Sequence, residues 1–264
     1  MKPRRAFILF IALLPLSGCS VAKVTEPIAD ARYADPVERY GHFALGKPHE
    51  YASLVVTTQS GRSFTLQLPD DEVFEDLAPR RVKLAKHEPD ALLTVVSQRD
   101  SGARLVLIQA HDSGLSIRAQ SPAIGMSNRW LNPVGVADLD GDGRAEIAAV
   151  ITPHIGGTLK IYRQMGNKLV EVTAMSGFSN HAYGSTELGL STPTTISGKP
   201  FLLVPDTTRT QLRIMTLNNN QLVNAGRCEL NAPITGAIHI GPASKVSVFT
   251  RAGQQSITLE ACLE

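Results

Sequence analysis

Residues 138–146 read Asp138-Leu139-Asp140-Gly141-Asp142-Gly143-Arg144-Ala145-Glu146. Three aspartates alternate along this stretch, and a glutamate follows the last of them. Carboxylates crowded in this way repel one another unless a hard cation lies between them. The two glycines permit a turn tight enough to direct the side chains towards one centre. The stretch therefore predicts a calcium-binding loop.

Short apolar runs enter and leave this loop, at 133–137 and 146–151. Runs of the same length recur in the same order along the chain and are separated by turns rich in glycine and asparagine. Two further hairpins are predicted, at 53–68 and 245–259. The repeated runs occupy 91–96, 104–108, 114–117, 159–162, 166–172, 200–205, 211–215 and 219–223.

Four short strands in a unit of about 45–54 residues are typical of a β-propeller blade. The chain is long enough for about five such units, of which the first and last are the least complete. We therefore predict an all-β fold, a β-propeller of about five blades. A β-sandwich is the alternative for a chain of short alternating strands.

Residues 136–147 resemble the FG-GAP/VCBS repeat of integrin-α-like propellers, in which calcium lies in the loop between the first two strands of a blade. An EF-hand fits less well, because its twelfth position requires a bidentate glutamate and falls here on Ala149. The resemblance implies a structural role for Ca²⁺ within one blade. The ligands that it implies are Asp138, Asp140, Asp142, the carbonyl of Arg144, and Glu146.

The chain begins with features of an export signal. Basic residues precede an apolar run at 6–16, which is too short to span a bilayer as a helix. Leu16-Ser17-Gly18-Cys19 resembles a bacterial lipobox, which implies removal of residues 1–18 and lipidation of Cys19. Ser20 replaces the aspartate that marks inner-membrane retention, so we expect an anchor in the outer membrane facing the periplasm. Residues 19–48 are then a tether and lead-in segment, and 49–264 are the propeller domain.

Charge and cysteine content restrict the possible partners. Without residues 1–18, Lys+Arg falls to 23 against 24 Asp+Glu, so the net charge is about −1. No basic stripe remains to favour nucleic acid. Cys228 and Cys262 are the two other cysteines, and in an oxidising compartment we expect them to form a disulfide.

A polar stretch at 179–189 holds the candidate ligand-binding residues. His181 and Glu187 could serve acid–base chemistry or ligand contact, but we favour a structured connection between blades, in which these side chains satisfy backbone groups. Arg129 and the single tryptophan, Trp130, are candidates for the same face, whereas we interpret His154 as a surface histidine in a strand turn. Nucleophile, zinc and phosphate-loop motifs are absent from the sequence, so we do not predict an enzyme.

These features together predict an envelope-anchored lipoprotein whose calcium-stabilised propeller binds an envelope protein or a glycan as a scaffold module. The alternative is a calcium-dependent envelope enzyme, a polysaccharide hydrolase or lyase, that uses the loop around His181 and Glu187. Both interpretations depend on fold analogy.

Overall fold

The computed structural model describes residues 24–264, which fold into an all-β structure with one short 3₁₀ turn, Leu259–Cys262. The all-β prediction is confirmed. Residues 1–23, with the predicted signal peptide and Cys19, lie outside the described part. Within that part, helices long and apolar enough to cross a bilayer are absent.

Consecutive strands group into five units, named here in chain order. Unit 1 contains β1 (Ile28–Val37), β2 (Glu50–Thr58) and β3 (Ser63–Gln67). Unit 2 contains β4 (Glu72–Phe74), β5 (Arg80–Val82), β6 (Ala91–Gln98), β7 (Gly102–His111) and β8 (Gly114–Gln120). Unit 3 contains β9 (Leu131–Ala137), β10 (Glu146–Ile151), β11 (Thr158–Met165) and β12 (Lys168–Ser176). Unit 4 contains β13 (Thr192–Ile196), β14 (Lys199–Pro205), β15 (Gln211–Asn218) and β16 (Gln221–Glu229). Unit 5 contains β17 (His239–Ile240), β18 (Lys245–Thr250) and β19 (Gly253–Thr258).

Neighbouring strands within each unit pair in antiparallel fashion, and units 1 to 3 join into one open twelve-stranded sheet. Strand β4 links units 1 and 2 because it pairs with both β2 and β6. A single parallel pair, Gln120 with Lys168, links units 2 and 3. Units 4 and 5 form separate sheets of four and three strands.

The hydrophobic core lies between successive units. Four apolar clusters follow one another along the chain, and each is built mainly from the side chains of two adjacent units. Strand β10 is buried at all six positions, and β6 at seven of eight, because neighbouring units cover both faces. Buried and exposed positions are mixed along β12, which lies at the outer side of its unit. Burial on both faces explains why the central strands read as continuous apolar runs rather than alternating ones.

The predicted strands agree closely with the structure. The runs at 146–151 and 245–250 correspond to β10 and β18 without any shift. The 19–48 segment, predicted as a tether and lead-in, contains β1, which pairs along β2. A disulfide joins Cys228 of β16 to Cys262, with 5.1 Å between the Cα atoms.

Candidate functional site

The acidic loop lies between β9 and β10, as the apolar runs around it predicted. Asp138, Asp140 and Glu146 each bring one carboxylate oxygen within 4.8 Å of the other two. Asp142 is not part of this group, and its Oδ1 accepts a hydrogen bond of 2.8 Å from the backbone N–H of Arg144. Three carboxylate oxygens at this spacing fit a hard cation such as Ca²⁺ in donor type.

A guanidinium already contacts this loop. Arg163 of β11 places Nη2 2.6 Å from Asp140 Oδ2 and 2.7 Å from Glu146 Oε1. The hydrogen bond to Glu146 is the main reason that the pKa of Arg163 is raised. The fully buried Glu146 also accepts the backbone N–H of Leu139 at 2.9 Å. Arg163 therefore neutralises part of the charge, and a calcium ion would share these oxygens with it.

A second site is a cleft of about 80 Å³ where connections from several units meet. It draws on the β1–β2 connection, the segment before β9, the β10–β11 turn and the connection between units 3 and 4. None of the lining side chains is a carboxylate. The cleft is lined by His42, Asn128, Arg129, Trp130, Thr152, His154, Ile155 and Tyr183.

His42 is paired with a buried carboxylate. Its Nδ1 lies 2.6 Å from Oε1 of Glu75, which directly follows β4 and is 1% exposed. Burial raises the pKa of the Glu75 carboxyl, and the hydrogen bond from His42 opposes that shift. The Ser97 hydroxyl donates to the other oxygen of Glu75. With Nδ1 donating to Glu75, the network assigns the lone pair of neutral His42 to Nε2.

His154 and His181 form a second pair behind the cleft. Nε2 of the buried His181 donates to the Ser185 carbonyl at 2.9 Å, so its Nδ1 is the acceptor. Nε2 of His154 donates to that Nδ1 at 2.7 Å, which leaves Nδ1 of His154 unprotonated. Burial, together with the neighbouring imidazoles, lowers the pKa of His154 to about 4. Burial also lowers the pKa of His181. Both rings are therefore neutral at neutral pH.

Trp130 forms the floor of the cleft and contacts residues of both pairs. Its indole N–H donates to the Glu75 carbonyl at 2.8 Å, and only 2% of its surface is exposed. The His154 ring stacks on the indole with 5.9 Å between centroids, and the His181 ring meets it edge-on at 4.8 Å. Trp130 is thus a buried support that sets the positions of Glu75 and His154.

Two residues of the lining hold left-handed backbone conformations. Thr152 has φ 49° and Asn128 has φ 51°. Asparagine tolerates this region, whereas a β-branched threonine adopts it at a cost of about 1–3 kcal/mol. The Thr152 N–H bonds to the Trp130 carbonyl at 2.9 Å, which holds the turn that carries His154.

The structure brings together some of the residues singled out in the sequence. His181, Arg129 and Trp130 lie at or directly behind the cleft. Glu187 does not line it, because its Oε1 accepts the N–H of Gly189 at 2.7 Å and closes a local turn. His154 lies in the cleft wall, where we had expected a surface histidine.

The pairing of His42 with Glu75 could not be predicted from the sequence, because 33 residues separate them. His42 lies in the segment interpreted as a lead-in, and Glu75 follows a strand of three residues. The one available signal was the pair Glu75-Asp76 directly after an apolar Val73-Phe74, since adjacent carboxylates beside a buried strand are uncommon.

Comparisons with known proteins give little similarity. No family model matches the chain, and no curated protein matches it. A solved structure from Bacteroides fragilis NCTC 9343, described as "a putative 6-phosphogluconolactonase", has 18% sequence identity and a TM-score of 0.42. The match covers 77% of this chain and 60% of that one, so this chain spans less than two thirds of its length. A TM-score of this size supports no transfer of fold or activity.

The predicted FG-GAP/VCBS family assignment is wrong. No family model matches the chain, and units 1 to 3 share one open twelve-stranded sheet. The predicted scaffold function rested on that assignment and is wrong with it. The alternative enzyme site also fails, because His181 bonds to the Ser185 carbonyl and Glu187 to a backbone N–H. These two side chains do not form an acid–base pair.

Proposed function

We propose that the protein is a hydrolase-like enzyme in which His42, oriented by Glu75, acts as a general base on water. The observation that supports this proposal most directly is the 2.6 Å pair between His42 Nδ1 and a nearly fully buried Glu75 carboxylate, on a histidine that lines the cleft. In residues 24–264, Nε2 of His42 has no hydrogen-bond partner within the protein. A histidine oriented in this way is suited to accept a proton.

The proposed reaction is hydrolysis of a carboxylic ester or lactone. Nε2 of His42 accepts a proton from water while the water oxygen bonds to the acyl carbon. The Nδ1–H···Glu75 hydrogen bond stabilises the imidazolium that forms, because a buried carboxylate next to a cation is strongly favoured. The imidazolium then returns the proton to the leaving oxygen as the acyl–oxygen bond breaks. This route needs no serine or cysteine nucleophile.

The experiment is a hydrolysis assay of the purified protein with γ- and δ-lactones and with nitrophenyl esters. We expect turnover that His42→Asn lowers by roughly 100-fold or more. His239→Asn is the matched control, because His239 is exposed and lies outside the cleft lining. Turnover that survives in His42→Asn, or its absence with every lactone and ester, contradicts the proposal.

The finer architecture is also a proposal. We infer that the five units are successive blades of a propeller-like stack, and the apolar clusters between adjacent units support this. The single residue pair between β8 and β12 supports it as well, because an ordinary sheet would pair these strands along their length.

Calcium binding at the acidic loop is a further proposal, with Asp138, Asp140 and Glu146 as the carboxylate ligands that the spacing supports. Asp142 and the Arg144 carbonyl stay predicted ligands. The predicted lipidation of Cys19, the outer-membrane location and an envelope protein or glycan partner stay predictions.

A further inference from the structure

We infer that the cleft binds an oxyanion, a phosphate or carboxylate group carried on a small apolar or ring-shaped body, and that Arg129 selects it. This inference deepens the proposed function and rests on it, since the oxyanion would belong to the substrate. It concerns which molecules enter the cleft, whereas the function proposed above concerns the proton transfer that His42 performs.

The charge of the cleft lining favours an anion. Arg129 is the one permanently charged side chain among the lining residues, and carboxylates are absent from that lining. Its guanidinium donates only a long 3.3 Å hydrogen bond to the Asn128 carbonyl, and in the described part of the chain it forms no ion pair. Guanidinium groups bind carboxylates and phosphates through paired N–H donors, so the available donors favour an oxyanion.

Within the described residues, no neighbouring carboxylate competes for the Arg129 guanidinium. Glu75 lies next to the cleft, but His42 and Ser97 occupy its two oxygens. The Glu75 side chain is therefore not free to pair with Arg129. Because His154 is neutral, no second fixed cation shares the lining. We therefore expect one oxyanion of low charge.

The rim of the cleft exposes large apolar surface. Ile155 is 62% exposed and Tyr183 is 64% exposed, although both are large and apolar over most of their surface. The Tyr183 hydroxyl donates to the His42 carbonyl at 3.2 Å, which holds the ring beside the cleft. The cleft volume of about 80 Å³ admits a head group, while the exposed rim offers surface for a ring or chain outside it.

Binding can be measured without turnover, because Trp130 is the single tryptophan of the chain and forms the cleft floor. The probes are phenyl phosphate and benzoate, with benzyl alcohol as the neutral counterpart. Saturable changes in tryptophan fluorescence, checked by calorimetry, report occupancy. We expect both anions to bind at least about tenfold more tightly than benzyl alcohol. The ratio between the two anions identifies the head group.

Arg129→Gln should reduce binding of the preferred anion by about tenfold or more, because hydrogen bonds to charged groups are the strong ones. Arg251→Gln is the control, since Arg251 is an exposed arginine in the β18–β19 turn. Equal binding of benzyl alcohol and the anions, or unchanged binding in Arg129→Gln, overturns the inference.

The two proposals fail separately. Turnover of neutral esters without anion binding overturns the oxyanion inference and leaves the hydrolase proposal intact. Binding of anions that depends on Arg129, without turnover of any ester, supports the inference and contradicts the hydrolase.

Discussion

His154 Nε2 lies 2.7 Å from His181 Nδ1, and both rings pack against Trp130. The arrangement accommodates neutral imidazoles only. A proton added to His154 would lie on a ring that is half-buried, stacked on an indole and hydrogen-bonded to another imidazole. Its pKa of about 4 expresses this cost.

Lowering the pH should therefore quench Trp130 fluorescence with a midpoint near pH 4, because protonated imidazole is an effective quencher. In the unfolded chain a histidine has a pKa of about 6.5, so the unfolded state binds more protons between these values. Unfolding free energy should consequently fall as the pH drops from about 6.5 towards 4. Urea melts across this range measure it, and a His154→Gln variant that keeps the full slope would contradict the assignment.

Glu75→Gln should lower turnover by roughly 10- to 100-fold while the fold persists. The amide can still accept the Nδ1–H of His42, but it no longer stabilises the imidazolium, so the base weakens. Ser97→Ala removes only a hydrogen bond to the same carboxylate and should have a smaller effect. Equal rates for Glu75→Gln and the native protein would rule out the proposed pairing.

Arg163→Met should destabilise the protein by about 1–3 kcal/mol without added calcium, because the buried Glu146 loses its charged partner. Excess calcium should restore most of the loss if the ion takes the place of the guanidinium. Lys160→Met on the same strand is the control, since its partner Glu171 is partly exposed. Melting temperatures measured with calcium and with chelator test this. If calcium raises the melting temperature of neither the native protein nor Arg163→Met, the loop is not a calcium site. Asp140→Ala should abolish the calcium response.

Gly157→Ala should destabilise the protein by about 1–3 kcal/mol and lower turnover, because the added Cβ would lie 1.9 Å from the Phe178 carbonyl oxygen. The Gly157 carbonyl also accepts the N–H groups of Gly177 and Phe178. These contacts hold the turn with His154 against the segment leading to His181. Gly241→Ala, whose added Cβ would lie 3.3 Å from the Lys245 carbonyl oxygen, should cost less than Gly157→Ala. A Gly157→Ala protein with native melting temperature would show that the two segments adjust independently.

Much of the fold could be predicted from the sequence, because burial on both faces makes the central strands read as apolar runs bounded by turns. Strand β1 could not, since Ile28–Val37 carries charges and is held mainly by pairing with β2. Its Asp35 has a φ of 54°, which interrupts any regular pattern. The acidic loop was placed correctly between two strands, but no local pattern indicated that Arg163 would reach it from β11.

The cleft was harder to predict, because its geometry comes from tertiary contacts between distant segments. Arg129, Trp130 and His181 could be selected as unusual residues in polar stretches. The pairing of His42 with Glu75 and of His154 with His181 depends on how units 1, 2 and 3 stack, and neither pair has a local spacing that signals it.

The indole hydrogen bond from Trp130 to the Glu75 carbonyl crosses from unit 3 to unit 2, while the carboxylate of Glu75 holds a histidine of unit 1. No single unit therefore contains all three of these residues. If the proposed function holds, catalytic competence would arise during folding only after units 1, 2 and 3 have docked against one another. Recovery of turnover on refolding would accordingly time the assembly of the stack, later than the secondary structure seen by circular dichroism.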